Sequence, residues 1–173
     1  MLLVGAGLLA KHVVALPAPN NESHLAQSLG ELRRAGSSGW LAVHVLYAEC
    51  RCSQRIVAHL TSTERPRRWQ EVVLWVGDAD PDPGLYRAFD VRRLSHEQLG
   101  RFGVESAPLL VALDPEGRAV YVGGYTDRKQ GPDIRDLYVL AEAEQRNALS
   151  ALPVFGCAVS ERLKRALAAL PAP

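Results

Sequence analysis

Apolar positions in this chain follow two patterns. The first is the short, nearly unbroken run: Trp40–Tyr47 (WLAVHVLY), interrupted only by His44, and Trp69–Gly77 (WQEVVLWVG), apolar through its centre. Such runs predict strands covered on both faces, the usual state of a parallel sheet. Leu109–Leu113 is a third strand. Asp114–Gly117 (DPEG) puts proline and glycine where a tight turn needs them, so Arg118–Val122 returns antiparallel and stops at Gly123 and Gly124. The second pattern is helical spacing. It places Leu25, Leu29 and Leu32 on one face of Glu22–Ala35, Ile56, Val57 and Leu60 on one face of Ser53–Leu60, and Ile134, Leu137, Val139, Leu140 and Ala141 within Asp133–Leu149. Arg33 and Arg34 fall near the end of the first helix, where cations suit the dipole. Ser95 and Gln98 form a capping-box pair opening Ser95–Phe102, which Gly103 closes, and Ser160–Leu170 is a last short helix. Leu85–Phe89 is a helical turn after the break at Asp78–Gly84, and Thr61–Arg68 is a loop. The order predicts a right-handed parallel β-α-β unit and a closing antiparallel hairpin, hence an α/β fold with a central mixed sheet and helices on both faces.

Length and charge narrow the class. At 173 residues with a net charge of +1, the chain suits one domain and shows no basic stripe for nucleic acid. Arg65, Arg67 and Arg68 cluster around Pro66 and read as a solvated loop. The division expected is an apolar N-terminal segment (1–19), a domain (20–150) and a C-terminal extension with Cys157 (151–173). Residues 1–16 lack the positive start of a signal peptide, and they fall short of the roughly 20 apolar residues of a membrane span. An anchor or export remnant is the favoured reading, with a signal or a first element of the fold as alternatives.

Three cysteines are too few for a disulfide scaffold. Cys50 and Cys52 lie between the first strand and a helix, where unpaired N–H groups and the helix dipole favour a thiolate, and Arg51 between them adds positive charge. That is the setting of a redox dithiol: one thiolate attacks a disulfide and its neighbour resolves the mixed disulfide. Cys50, in the loop and expected to be the more exposed, is assigned as nucleophile and Cys52 as resolving thiol; the reverse assignment stays open because helix N-termini lower thiol pKa values. A C-x-C disulfide closes a small strained ring, which predicts an oxidising or isomerase-like couple. The rival chemistry is chelation of Cu(I) or Zn(II) by Cys50 and Cys52, with Cys157, His44 or His59 as further ligands. Both histidines read first as structural, and Cys157 as a buried or unpaired thiol beside Phe155, with a relay partner as the alternative. Trp40, Trp69 and Trp75 are expected in the core, Tyr47 beside the cysteine loop, and Glu49 as a carboxylate near the thiols able to accept a proton.

Four stretches resemble the thioredoxin superfamily: Tyr47-Ala48-Glu49 followed by the cysteines, Cys52 opening a helix, Gly103–Pro108 (GVESAP) as a loop before a cis-proline, and Leu109–Gly124 as the closing hairpin. The resemblance spans roughly residues 22–146 and is greatest to exported bacterial TlpA-like and RedB-like proteins, some of which carry C-x-C and a late Pro-Val-Phe-Gly-Cys, matched by Pro153–Cys157. Two positions depart from it: the cysteine pair is one residue shorter than C-x-x-C, and Ala107 stands where many thioredoxins carry threonine or valine. The resemblance implies a thioredoxin-like fold. It also implies thiol–disulfide exchange without a cofactor (copper or zinc being the alternative), with Ala107, Pro108, Tyr47 and Arg51 facing the substrate. The implied partners are protein or small-molecule disulfides and dithiols and a redox protein that resets the pair. The implied location is the bacterial periplasm or cell envelope, possible anchoring through residues 1–16 included and the cytoplasm left open. A non-catalytic adaptor binding partners through the Pro108 face is the remaining alternative.

Overall fold

The computed structural model describes residues 15–169. In chain order the elements are α1 (Glu22–Gly30), β1 (Trp40–Tyr47), α2 (Arg51–Ser62), β2 (Trp69–Val76), α3 (Leu85–Ala88), β3 (Asp90–Leu94), α4 (His96–Arg101), β4 (Ser106–Ala107), β5 (Leu109–Leu113), β6 (Ala119–Gly123), α5 (Asp136–Glu144), β7 (Cys157–Ala158) and α6 (Glu161–Ala168). Five strands form one mixed sheet in the order β3-β2-β1-β5-β6. β1, β2 and β3 run parallel, and β5 and β6 are antiparallel to their neighbours.

The continuous runs are buried because the sheet has a core on each side. Along β1, Leu41, Val43 and Val45 face Leu25 and Leu29 of α1 and Leu99 of α4; Ala42 and Leu46 face Ile56, Val57 and Leu60 of α2 and Val139 and Leu140 of α5. Period-two alternation thus feeds two cores from one strand. Trp69 and Trp75 are in the core, whereas Trp40 is half-buried against Trp69. The Ser95–Gln98 capping box is formed, and the tight turn after β5 closes on Gly117 at φ +84°.

Several expectations need correction. α1 ends at Gly30, and Leu32 is buried from the turn beyond it. Arg33 therefore serves no helix terminus; its guanidinium donates to the carbonyls of Gly39 and Asp114 and ties the start of β1 to the β5–β6 turn. α5 spans fewer residues than the apolar spacing of 133–149 suggested. β3 was not foreseen, because its DVRRL sequence carries the charges of a half-covered edge strand. Residues 15–19 and 151–169 lie on the domain: Leu16 N–H donates to Val154 O at 2.8 Å, and Ser106 Oγ donates to Pro17 O at 2.8 Å. Most of the 1–16 stretch read as an anchor lies outside the described residues, and no helix among the described residues is long and apolar enough to cross a membrane.

Arg65 is the sharpest correction. It is not solvated: its side chain is 10% exposed and clamps Glu71 through Nε at 3.1 Å and Nη2 at 2.6 Å. Its Nη1 lies 2.7 Å from Asp136 Oδ2, close enough for a strong ion pair although aligned too poorly for a hydrogen bond. The fully buried His44 meets Glu71 through Nε2 at 2.9 Å and the Tyr125 hydroxyl through Nδ1 at 2.9 Å, while His59 Nε2 meets Asp136 at 2.8 Å. Side chains from β1, β2, α2, α5 and two loops thus close a polar network inside the second core. An apolar strand accommodates His44 because both ring nitrogens have partners.

Candidate thiol site

The chain leaves β1 and enters α2 through a tight local weave. Tyr47 N–H donates to Ser53 Oγ at 3.0 Å, Cys50 N–H to Tyr47 O at 3.1 Å, and Gln54 Nε2 to Ala48 O at 2.7 Å. Cys50 is the N-cap, with extended backbone, and the helix starts at Arg51 rather than at Ser53. Apolar spacing sees only the buried face of a helix, and its first turn here, Arg51 and Cys52, faces outward.

The exposures of the two thiols are the reverse of those expected. Cys50 is fully buried and Cys52 is half-exposed. Cys50 is covered because Cys157, more than a hundred residues away in sequence, lies against it. β7 pairs antiparallel with β4, setting Cys157 opposite Ala107, and the Cys50 thiol donates to the Ala107 carbonyl at 3.7 Å. Cys157 and Cys52 are the neighbours that act most strongly on the Cys50 thiol, both favouring its ionised form. These contacts, with the backbone N–H groups of Ser53 and Cys52 close by though not formal capping bonds, hold Cys50 far below the usual thiol range against the opposing effect of burial. The outer two thiols are pushed up by the same hydrogen bonds to Cys50, by burial and by its negative charge. Cys50 adjoins both other thiols, and the three share one readily lost proton. Reduced protein is expected to keep one thiolate's ultraviolet absorbance well into acid, and Cys50→Ser to lose it. A wild-type titration showing three ordinary thiols would refute the assignment.

Cys52 opens on a groove of about 310 Å³ whose walls include Arg51, Arg55, Pro108, Tyr125 and Phe155. Lys129 and Arg55 bring positive charge to Cys52. A slightly larger cavity between residues 17–24 and the α4–β4 loop contains no thiol, so the Cys52 groove is the candidate site. Of the residues expected to face substrate, Arg51 and Pro108 line the groove. The Ala107–Pro108 peptide is cis, and Ala107 is buried beneath Cys50. Tyr47 is outside the groove, half-buried, edge-on to His96 with centroids 5.5 Å apart. Burial raises its pKa, as do the neighbouring Glu49 and Cys157.

Glu49, expected near the thiols, is engaged by the loop after β2. It accepts from Asp78 N–H at 2.9 Å; burial pushes its carboxyl up, but backbone N–H groups of Asp78, Glu49 and Ala79 outweigh that and hold it below the ordinary range. It is a clasp for the loop after β2. Glu105 pairs with Arg162 and accepts from Ser160 Oγ at 2.9 Å, fastening α6. His44 and His59, weighed as metal ligands, are held by Glu71, Tyr125 and Asp136. Among the described residues no group of three His, Cys, Asp or Glu side chains is arranged to hold a metal ion. Sequence reasoning missed Arg55, Tyr125 and Phe155 as groove walls and left the place of Cys157 open. The readable signal was Phe155-Gly156-Cys157, a cysteine directly after a glycine, in a segment otherwise without regular spacing.

No protein-family model matches the chain, and no curated protein is similar to it at the sequence level. Among solved structures it is similar to a hypothetical protein from Sinorhizobium meliloti, at 18% identity and a TM-score of 0.57, over 85% of this chain and 90% of that one. It is also similar to an uncharacterized conserved protein from Geobacillus kaustophilus, at 16% identity and a TM-score of 0.53, over 72% and 78% of the two chains. Both likenesses are of fold.

Proposed function

We propose that this protein is a thioredoxin-like thiol–disulfide oxidoreductase, with Cys50 and Cys52 as its redox pair. The observation that carries the reading is the placement of Cys50 at a helix N-terminus, its Sγ 3.7 Å from the Ala107 carbonyl that precedes the cis Pro108, with the more accessible Cys52 in the first turn of the same helix. The strand order, three parallel strands and an antiparallel closing hairpin with α2 springing from the central strand, supports the thioredoxin-like assignment.

Exposure and charge suggest which sulfur does what. Stabilising one thiolate favours the reduced form and makes the pair oxidising. In the oxidised protein an incoming thiolate reaches Cys52 from the groove. It bonds to the Cys52 sulfur, the Cys50–Cys52 bond breaks, and Cys50 leaves as the stabilised thiolate; exchange is faster the lower the leaving thiol's pKa. A second substrate thiolate then attacks the substrate sulfur of the mixed disulfide, a substrate disulfide forms, and Cys52 leaves as a thiolate, which completes the reduced pair. A partner redox protein must reset it. The positive groove favours thiolates and acidic chains. No cofactor is needed, since the pair holds both electrons. The cell envelope is the proposed location, on the resemblance to exported proteins and on the apolar start of the sequence.

The test is a redox titration of metal-free protein with alkylated thiols counted at each cysteine by mass spectrometry. A reversible two-electron couple involving Cys50 and Cys52, on the oxidising side of cytosolic thioredoxin, is expected. Thiols that never pair under oxidant would overturn the reading. Equimolar copper or zinc after purification under reducing conditions would instead favour chelation by Cys50 and Cys52.

A further inference from the structure

The edge just before Pro108 is where an extended substrate chain would dock by adding a strand, its backbone bonded to the loop and its cysteine presented to the redox pair. In this protein that edge is taken. Residues 156–159 run along it: Ser106 pairs with Ala158 and Ala107 with Cys157, and Val159 N–H donates to Glu105 O at 2.7 Å. The segment is fitted tightly. A Cβ on Gly156 would sit 2.6 Å from Pro108 Cδ and collide with the Ala107 carbonyl, and a Cβ on Gly124 would collide with the Pro153 carbonyl. Only residues without side chains allow this approach. Leu16 N–H bonds Val154 O from the other side, Gly124 N–H bonds Leu152 O, and the Glu105–Arg162 pair fastens the helix that follows. The chain's own C-terminal segment therefore lies where a substrate strand would lie, and Cys157 stands in the substrate cysteine's place, beside the fully buried Cys50.

Resting on the oxidoreductase reading, we propose that Cys157 is a third redox thiol, an internal substrate that exchanges disulfide with Cys50. The step balances without an outside oxidant. The Cys157 thiolate attacks the Cys50 sulfur of the Cys50–Cys52 disulfide, the Cys50–Cys157 bond forms, and Cys52 leaves as a thiolate that takes up the proton Cys157 lost. Oxidising equivalents pass between an outer pair open to the groove and an inner pair under the C-terminal strand. External partners then meet the protein at Cys52.

Cys52→Ser isolates the inner pair. The variant is equilibrated with oxidised and reduced glutathione, quenched by alkylation, digested without reduction and mapped by mass spectrometry. A Cys50–Cys157 linkage in most molecules is expected, and it is expected to be lost when Gly156→Ala is added, because the added methyl displaces the strand. Glutathione adducts with no Cys50–Cys157 linkage would overturn the proposal, as would a linkage unaffected by Gly156→Ala. Cys157→Ser, treated in parallel, reports the outer pair. If it retains a reversible Cys50–Cys52 couple while Cys52→Ser forms no linkage, the relay fails and the oxidoreductase reading stands. If neither variant pairs its thiols, both fail.

Discussion

Cys50→Ser is expected to lower the rate of dithiol oxidation on the order of 10³-fold or more, as removal of a core catalytic nucleophile or leaving group does. In the proposed scheme Cys50 has a redox partner on each side, so its loss would remove both disulfides at once. In that scheme it is also the leaving group whose ionised form is favoured, a role serine oxygen does not fill. The same variant makes a second, qualitative prediction. Cys52 remains half-exposed in its groove with no neighbour to resolve it, so mixed disulfides with a small disulfide or a cysteine peptide should accumulate on Cys52. Cys52→Ser should collect far fewer external adducts, because Cys50 is fully buried. Intact-mass measurement after incubation with a cysteine peptide disulfide separates the two. Equal labelling of Cys50 and Cys52 would contradict the assignment of Cys52 as point of entry, and full activity in Cys50→Ser would remove the pair from the chemistry.

How much of this was legible in the sequence depends on how local the controlling interaction is. β1 and β5 were read to the residue because a continuous apolar run needs no partner to be recognised. The strand–cysteine–helix junction was read for the same reason, and it marked the candidate site. Which thiol is covered was not readable, since Cys50 is covered by a two-residue ladder between Ser106–Ala107 and Cys157–Ala158, too short to leave any periodicity. Long-range polar pairing was equally hidden: His44 bonds a tyrosine 81 residues away. In hindsight the signals were His44 and Glu71, polar residues placed in otherwise apolar strands two positions apart in the shared register. Buried polar groups require partners, and Arg65 and Tyr125 are the partners that the linear sequence separated.

Arg65→Ala is expected to cost about 3–5 kcal/mol, because it leaves buried carboxylates without their compensating charge. Glu71 and Asp136 side chains are 4% and 0% exposed, and among the described residues Arg65 is the one side chain within ion-pair distance of both; its guanidinium also lies 5.7 Å from the Phe89 ring centre. For a chain of this size the loss corresponds to a fall of roughly 6–20 °C in Tm. Arg67, two residues on and exposed, should tolerate alanine within about 0.5 kcal/mol. Acidity gives an independent check. Burial pushes the Glu71 carboxyl up, but His44 and Arg65 outweigh it and its folded pKa lies below the unfolded value. A depressed folded pKa contributes stability that is present above the unfolded value and is lost as pH falls through the folded one. Without Arg65, desolvation gains weight and the folded pKa rises, so the variant is penalised most at neutral pH and the gap from wild type narrows on acidification. Urea unfolding of the two proteins across that range measures it; a gap that is constant with pH, or no larger than that of Arg67→Ala, would show that the network does not carry the charge balance assigned to it. The consequence reaches the thiol site through Tyr125, which bonds His44 at one end of the network and forms a wall of the Cys52 groove at the other. Arg65→Ala removes an anchor of the network that holds this wall, so under the proposed function it should weaken substrate capture at Cys52 under conditions where the fold itself survives.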